Sequence, residues 1–164
     1  MQIQANPATT TEHLRTISQL AHAIWQQHYT PIIGAAQVDY MLKKMYDINS
    51  LELQISEQKH QFYLFSLGNV AEGFGAISQT EPHHFFLNKL YLNPKLQGVG
   101  LGTQALNWLK TQMHQPQTLR LTVNRQNYKS INFYFKNGFV IEKTADLDIG
   151  SGYFMNDFVM IYRF

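Results

Sequence analysis

The sequence contains no cysteine and no long apolar run. Without cysteine there are no disulfide bonds, no thiolate metal ligands and no cysteine nucleophile, so any chemistry must use other side chains. Because no apolar run approaches the roughly 18 to 20 residues that span a bilayer, the sequence predicts no membrane segment. The first residues also lack the basic and apolar regions of a signal peptide, which favours a cytoplasmic protein.

Blocks of like charge are absent as well. The 13 basic and 11 acidic residues are interspersed, and the formal net charge is only +2. This pattern is unlike that of a basic nucleic-acid-binding arm, so the sequence predicts no nucleic-acid partner. The histidines show no metal-binding spacing, because His83 and His84 are adjacent and would point to opposite faces of a strand. The sequence therefore predicts no metal site.

The chain has 164 residues, of which 45% are hydrophobic, a size that favours a single domain over residues 1–164. The spacing of Thr9 and Glu12 is that of a capping box at the start of a helix. Apolar residues then recur at helical intervals, and this periodicity predicts helical segments at 14–28, 38–45 and 51–55.

Strand-forming runs follow the predicted helices. Two β-rich runs flank Gly68 and Asn69, a pair of residues typical of a hairpin turn. The later predicted elements are the strand HHFFLNKLYL, a helix at 101–114, the strand TLRLTV, a helix at 128–137, and the strands FVIEK (139–143) and YFMNDFVMIYRF around a turn at 150–152. The order of these elements predicts an α/β fold with a largely antiparallel sheet.

The segment QGVGLG, residues 97–102, places three glycines directly before a predicted helix. The first N–H groups of a helix lack partners and lie at the positive end of its dipole, and glycines let them approach an anion closely. No Lys-Ser or Lys-Thr pair follows, which argues against a Walker loop, and Thr103 replaces the last glycine of a dinucleotide fingerprint. The remaining interpretations are a site for another phosphate ligand and a turn that only caps the helix.

Two motifs resemble those of the GNAT superfamily of acyl-CoA-dependent N-acyltransferases. Gln97, Gly100 and Gly102 match its pyrophosphate-binding motif, and VNRQNYKSINFYFKNGF, residues 123–139, resembles its later strand-loop-helix segment. The resemblance covers roughly residues 60–143. It implies a mixed, largely antiparallel twisted sheet with helices on both faces and a splayed pair of parallel strands at the cofactor site.

The resemblance also implies that acetyl-CoA is a cosubstrate. Backbone groups of Leu90 and Leu92 would pair with its pantetheine amides, and Asn124 and Asn127 would contact the cofactor, with a turn role as the alternative for both asparagines. The pyrophosphate would be held by Gln97, Gly98, Val99, Gly100, Leu101, Gly102 and Thr103.

Tyr134 occupies the family position of the acid that protonates the departing thiolate. Its hydroxyl stays protonated at neutral pH, and the alternative is a tyrosine that only packs in a helix. The family often has a glutamate on the strand before the loop, whereas this chain has Asn88 and Lys89 there. The general base is therefore unassigned, and its candidates are Glu72, His84, Asp148, Asp157 or a water chain.

The implied function is an N-acetyltransferase in which an amine attacks the thioester of acetyl-CoA directly. The acceptor would be a small molecule or a peptide with a primary amine, and a homodimer is left open. The alternative is a module that binds or senses acyl-CoA without turnover. Asp148 and Asp157 fall in the C-terminal hairpin, which borders the acceptor side in the family, and would favour a cationic amine. Asp157 interrupts an apolar strand, and its pattern favours an outward-facing, solvated carboxylate.

Overall fold

A computed structural model describes the whole chain, Met1–Phe164. In chain order the elements are β1 (Gln4–Pro7), α1 (Thr11–His28), α2 (Thr30–Ile33), α3 (Ala35–Tyr46), α4 (Ile48–Ser56), β2 (Gln61–Leu67), β3 (Val70–Glu81), β4 (His84–Leu92), a 3-10 turn (Pro94–Leu96), α5 (Leu101–Thr111), β5 (Thr118–Asn124), α6 (Tyr128–Lys136), β6 (Val140–Gly150) and β7 (Tyr153–Arg163). None of the helices combines the length and the apolar character needed to cross a membrane.

The seven strands form one sheet in the order β1-β2-β3-β4-β5-β7-β6. The pairs β1/β2, β2/β3, β5/β7 and β6/β7 are antiparallel, whereas β4 and β5 are parallel. Helices pack on both faces, since Tyr46 of α3 contacts Phe74 while Leu109 of α5 lies against the next residue, Gly75. The predicted mixed, largely antiparallel sheet is confirmed.

The contacts divide the chain into two compact units. The first comprises Met1–Ser78 and Asn88–Met113, and the second comprises Gln79–Leu87 and His114–Phe164. In the first unit, apolar residues of α1, α3 and α4 such as Ile17, Val38 and Leu51 are fully buried. In the second unit the core is formed by apolar residues of β5 and β7 such as Leu121 and Met160, with Phe139 also fully buried. The prediction of one domain over residues 1–164 stays a prediction.

The N-terminal third differs from the prediction in three respects. A first strand, β1, was not predicted and pairs with β2, beginning at Gln4 opposite Ser66. Helix α1 is capped by Thr10 and His13 instead of Thr9 and Glu12, because the Thr10 hydroxyl accepts from the His13 amide and the His13 ring accepts from the Thr10 amide. The short helix α2 was not predicted, and α4 has nine residues where the sequence predicted a shorter helical segment at 51–55.

The remaining elements follow the predicted order closely. The hairpin turn at Gly68 and Asn69 is present, and β4 ends before Asn93 as predicted. His83 is not in the strand, because it adopts a left-handed backbone conformation (φ 67°) in the turn that precedes β4. The predicted strand at 139–143 is longer than expected, since its antiparallel ladder with β7 continues to Gly150.

Candidate active site

The glycine loop and the start of α5 present backbone donors with little side-chain cover. Gly100 is the N-cap of α5 in a left-handed conformation (φ 81°), and no side chain caps the helix. Gly98 also has a positive φ, and a Cβ at either glycine would meet nothing within 4 Å. The first hydrogen bond within the helix runs from the Gln104 amide to the Gly100 carbonyl. The amides of Leu101, Gly102 and Thr103 therefore have no acceptor within the helix. These amides can therefore bind an anion.

The loop is tied to β3 by one asparagine. The backbone amide of Asn93 donates to the carbonyl of Glu72 (2.7 Å), and its side-chain Nδ2 donates to Glu72 Oε2 (2.9 Å). The side-chain oxygen of Asn93 in turn accepts from the Lys95 amide (3.1 Å). Glu72, a candidate base, thus has one carboxylate oxygen engaged in fixing the segment that leads into the loop.

The end of β4 lies unusually close to β3. A Cβ on Gly73 would overlap the carbonyl oxygen of Tyr91 and would lie 3.0 Å from the Leu92 Cα. In the sequence, Gly73 lies within a β-rich run, and nothing in that run indicates this requirement. Leu90 and Leu92, the predicted pantetheine contacts, are half-buried on either side of Tyr91. Their role in binding stays a prediction.

A buried lysine, Lys89, lies on the same strand. The side chain is 8% exposed, forms no ion pair, and places Nζ 5.2 Å from the centroid of the Tyr46 ring. Burial lowers the pKa of Lys89 to about 8. Burial, followed by the charge of Lys89, lowers the pKa of His60 to about 4. The signal in the sequence was a lysine within an otherwise apolar strand, although Lys89 was noted there only because the position lacks an acid.

In the second unit, two asparagines shape the connection from β5 to α6. The Asn124 side-chain oxygen accepts from the Gln126 amide (2.9 Å), and the Asn127 side-chain oxygen accepts from the Ser130 amide (3.2 Å) as the N-cap of α6. Both side chains are buried, at 8% and 2% exposure. Each therefore has the turn role named as its alternative, and cofactor contact by either one stays a prediction.

Tyr134 lies on α6 and is 9% exposed. Its ring packs edge-on against Phe133 and Phe139, with centroids 5.2 and 5.4 Å away. The ring is thus held in a fixed position, which suits both a packing role and a positioned proton donor. The geometry alone leaves its role as the acid a prediction.

The remaining base candidates differ sharply in environment. His84 lies at the first residue of β4, and its Nδ1 atom is 2.7 Å from Thr118 Oγ1 in a groove with Arg120 and Glu142. Asp148 is exposed and accepts from the Gly150 amide. Asp157 is only 3% exposed, so the expectation of an outward, solvated carboxylate is wrong.

The parallel pairing of β4 and β5 is short. It covers three residue pairs, from His84 opposite Thr118 to Phe86 opposite Arg120, all within the second unit. By comparison, the antiparallel pairing of β5 with β7 runs over seven pairs. A short ladder is typical of two strands that diverge, as the resemblance implies for the cofactor strands.

Comparison with known proteins decides the family. The model of the acetyltransferase (GNAT) family matches residues 18–139, about three quarters of the chain. This protein belongs to the GNAT family of acetyltransferases. The family uses acetyl-CoA, in agreement with the predicted cosubstrate. The two motifs that carry the resemblance thus identified the family correctly.

Individual relatives agree with the family assignment. The chain is 28% identical over 142 residues to a spermidine N(1)-acetyltransferase of Thermoplasma acidophilum, covering 84% of this chain and 88% of the relative. The crystal structure of the PaiA N-acetyltransferase of the same organism, in complex with coenzyme A, superimposes with a TM-score of 0.82 at 25% identity over the full length of both chains. An acetyltransferase from Thermus thermophilus shares the fold, with a TM-score of 0.74 at 18% identity over 100% of this chain and 98% of that one.

Proposed function

We propose that this protein transfers the acetyl group of acetyl-CoA to a primary amine. The observation that carries the proposal is the start of α5, which no side chain caps and which follows two glycines, Gly98 and Gly100, with positive φ and open space at their Cβ positions. The chain also belongs to the GNAT family. Unpaired amides at a helix N-terminus offer the donors and the dipole that a pyrophosphate requires. The complex of the similar PaiA structure with coenzyme A supports the same ligand for this chain.

The proposed reaction needs no covalent enzyme intermediate. A neutral amine attacks the thioester carbonyl carbon, the C–S bond breaks, and the acetyl group remains on nitrogen as an amide. The thiolate takes one proton, for which we propose the Tyr134 hydroxyl as donor, and the nitrogen loses one proton to a base or to water. The loop residues Gln97 to Thr103 would bind the pyrophosphate, and backbone groups of Leu90 and Leu92 would bind the pantetheine.

The acceptor is a primary amine, and polyamines are the class to test first. The Thermoplasma relative is a spermidine N(1)-acetyltransferase, and the two chains align over most of their lengths. At 28% identity this similarity supports the chemistry of N-acetylation more strongly than it supports a particular amine. We therefore propose the reaction class from the family and take spermidine as the first probe of the acceptor.

The proposal is tested by following free thiol as it is released from acetyl-CoA with a panel of amines. The panel would contain spermidine, simple monoamines, amino acids and a peptide with a free N-terminus. We expect amine-dependent thiol release, with the acetylated amine confirmed by mass spectrometry. Tight binding of acetyl-CoA without release for any amine would instead support a sensing module. Failure of desulfo-coenzyme A to compete with acetyl-CoA would contradict a coenzyme A site.

A further inference from the structure

Strand β6 forms one edge of the sheet, and the rest of the chain leaves this edge open. It is last in the strand order and pairs only with β7. Every second residue of an edge strand directs its N–H and C=O groups away from the sheet, and those of residues 143–148 form no hydrogen bond with another segment. Val140 and Leu147 are also exposed, each at 50%. Such an edge is a template for pairing with a further strand.

The usual devices that protect an edge are largely missing from β6. The strand contains no proline, and most of its residues are exposed. Its ladder with β7 is irregular at two places, after Ile141 and after Asp148. These irregularities flank residues 143–148, which pair in unbroken register with residues 154–159 of β7. The regular stretch is therefore open to a second neighbour.

Charge selects how two copies of this stretch can pair. About a two-fold axis, antiparallel copies place one residue opposite its own copy. Ladders centred on Ala145 or on Asp146 use most of the regular stretch, and other centres use less of it. Asp146 at the centre would face its own carboxylate, and like charges directly opposite each other are unfavourable. Ala145 at the centre instead places Lys143 opposite Leu147. It also places Thr144 opposite Asp146, so the ladder contains no like charges.

We propose that the protein forms a homodimer in which the β6 strands of two copies pair antiparallel about Ala145. A second copy fits this edge because both strands offer the same row of backbone groups and because the pairing leaves no like charges opposite each other. Just outside the ladder, Glu142 would lie near the partner's Asp148, and the charge of Glu142 is already paired with Arg120 (2.8 Å). This inference does not depend on the proposed acetyl transfer.

The test is sedimentation equilibrium of the full chain at about 1 to about 300 µM, where the wild-type protein should show a reversible equilibrium of monomer and dimer. Leu147→Lys places an ammonium group opposite the partner's Lys143 twice in each dimer, whereas Leu147→Glu places a carboxylate there. Both variants lose the same exposed leucine, and they differ in the sign of the charge. We expect the dimer of Leu147→Lys to be about 10- to 100-fold weaker than that of Leu147→Glu.

Two further proteins complete the test. Adding Lys143→Glu to Leu147→Lys restores opposite charges across the ladder, so the Kd should return to within about 3-fold of the value for Leu147→Glu, a protein of the same net charge. Leu53→Lys, at an exposed leucine of α4, is the control and should keep the wild-type Kd. A wild-type chain that stays monomeric up to about 300 µM would overturn the inference. Equal Kd values for Leu147→Lys and Leu147→Glu would also overturn it, and so would a double variant that does not recover.

Discussion

Gly73 of β3 and Tyr91 of β4 approach so closely that no side chain fits between them. A Cβ at Gly73 would overlap the Tyr91 carbonyl oxygen and press on Leu92, both through its Cα and through its side chain. The Tyr91 ring packs 5.4 Å from that of Phe74, the residue next to Gly73. The end of β4, where the pantetheine is predicted to bind, therefore takes its position from a glycine on the neighbouring strand.

Gly73→Ala should destabilise the fold and disturb the end of β4. The added methyl group meets backbone atoms, which cannot move aside, so we expect a cost of about 1 to 3 kcal/mol and a melting temperature lower by roughly 2 to 10 °C. Gly75→Ala is the control, because its Cβ would meet side-chain atoms of Leu109 and Phe65 at 3.0 and 3.1 Å, which can shift. Thermal unfolding of the two variants compares them directly, and equal melting temperatures would contradict the argument.

A second prediction concerns the glycine loop. Gly100→Ala should weaken coenzyme A binding, because the methyl group strains a left-handed residue and disturbs the amides that follow it. Gly34→Ala is a control away from the loop, since Gly34 is also an N-cap glycine with a positive φ (84°) and open space around its Cβ position. Gly100→Ala should lose roughly 1 kcal/mol of stability. Gly34→Ala should lose as much or more, because the ψ of Gly34 is 155°, a conformation that is costly for alanine. Calorimetry should show weaker coenzyme A binding for Gly100→Ala alone, and equal affinities in the two variants would make the glycine loop a simple turn.

Much of the fold could be predicted because turn-forming residues stand at the positions where the periodicity of apolar residues changes. The hairpin at Gly68 and Asn69, the strand end before Asn93 and the loop motif at Gln97 each combine a turn residue with a change in periodicity. Strand β1 was missed because a four-residue strand, Gln4–Pro7, shows little alternation and forms only through pairing with β2.

The site was less predictable than the fold because burial and charge depend on tertiary neighbours. Asp157 has the sequence pattern of a solvated residue, yet it is buried in the structure. Lys89 is buried against Tyr46, which is far away in the sequence. The alternation of residues in a strand shows which face a side chain takes, but it does not show what covers that face.

Burial of Lys89 should be visible in the pH dependence of stability. Because its folded pKa, about 8, is below the ordinary value of 10.5, the unfolded chain binds more protons between these pH values. Stability should therefore rise as the pH increases through this window, by about 3 kcal/mol if the full shift is expressed. Lys89→Met should lack this rise and should be the more stable protein at pH 7.

The measurement is urea unfolding of the wild-type protein and of Lys89→Met at several pH values between about 7 and 10.5. Lys43→Met, which removes an exposed lysine of α3, is the control and should follow the wild-type curve. His60 does not contribute to the change in stability over this pH range, since its pKa is lowered to about 4. Parallel curves for the wild type and Lys89→Met would show that Lys89 is solvated in solution.

The last prediction tests Tyr134 by removing one oxygen atom. Tyr134→Phe keeps the ring that packs against Phe133 and Phe139, so stability and coenzyme A affinity should change little. If the hydroxyl protonates the thiolate, kcat should fall about 100-fold or less, because general acid catalysis is worth about 10² to 10⁴ in rate and a thiolate is already a good leaving group.

Tyr128→Phe removes a hydroxyl from an exposed position on the same helix and should leave kcat unchanged. Steady-state rates with a saturating amine, measured where the chemical step limits turnover, decide between the roles. An unaltered kcat in Tyr134→Phe would leave Tyr134 as a packing residue, and the thiolate would then take its proton from water.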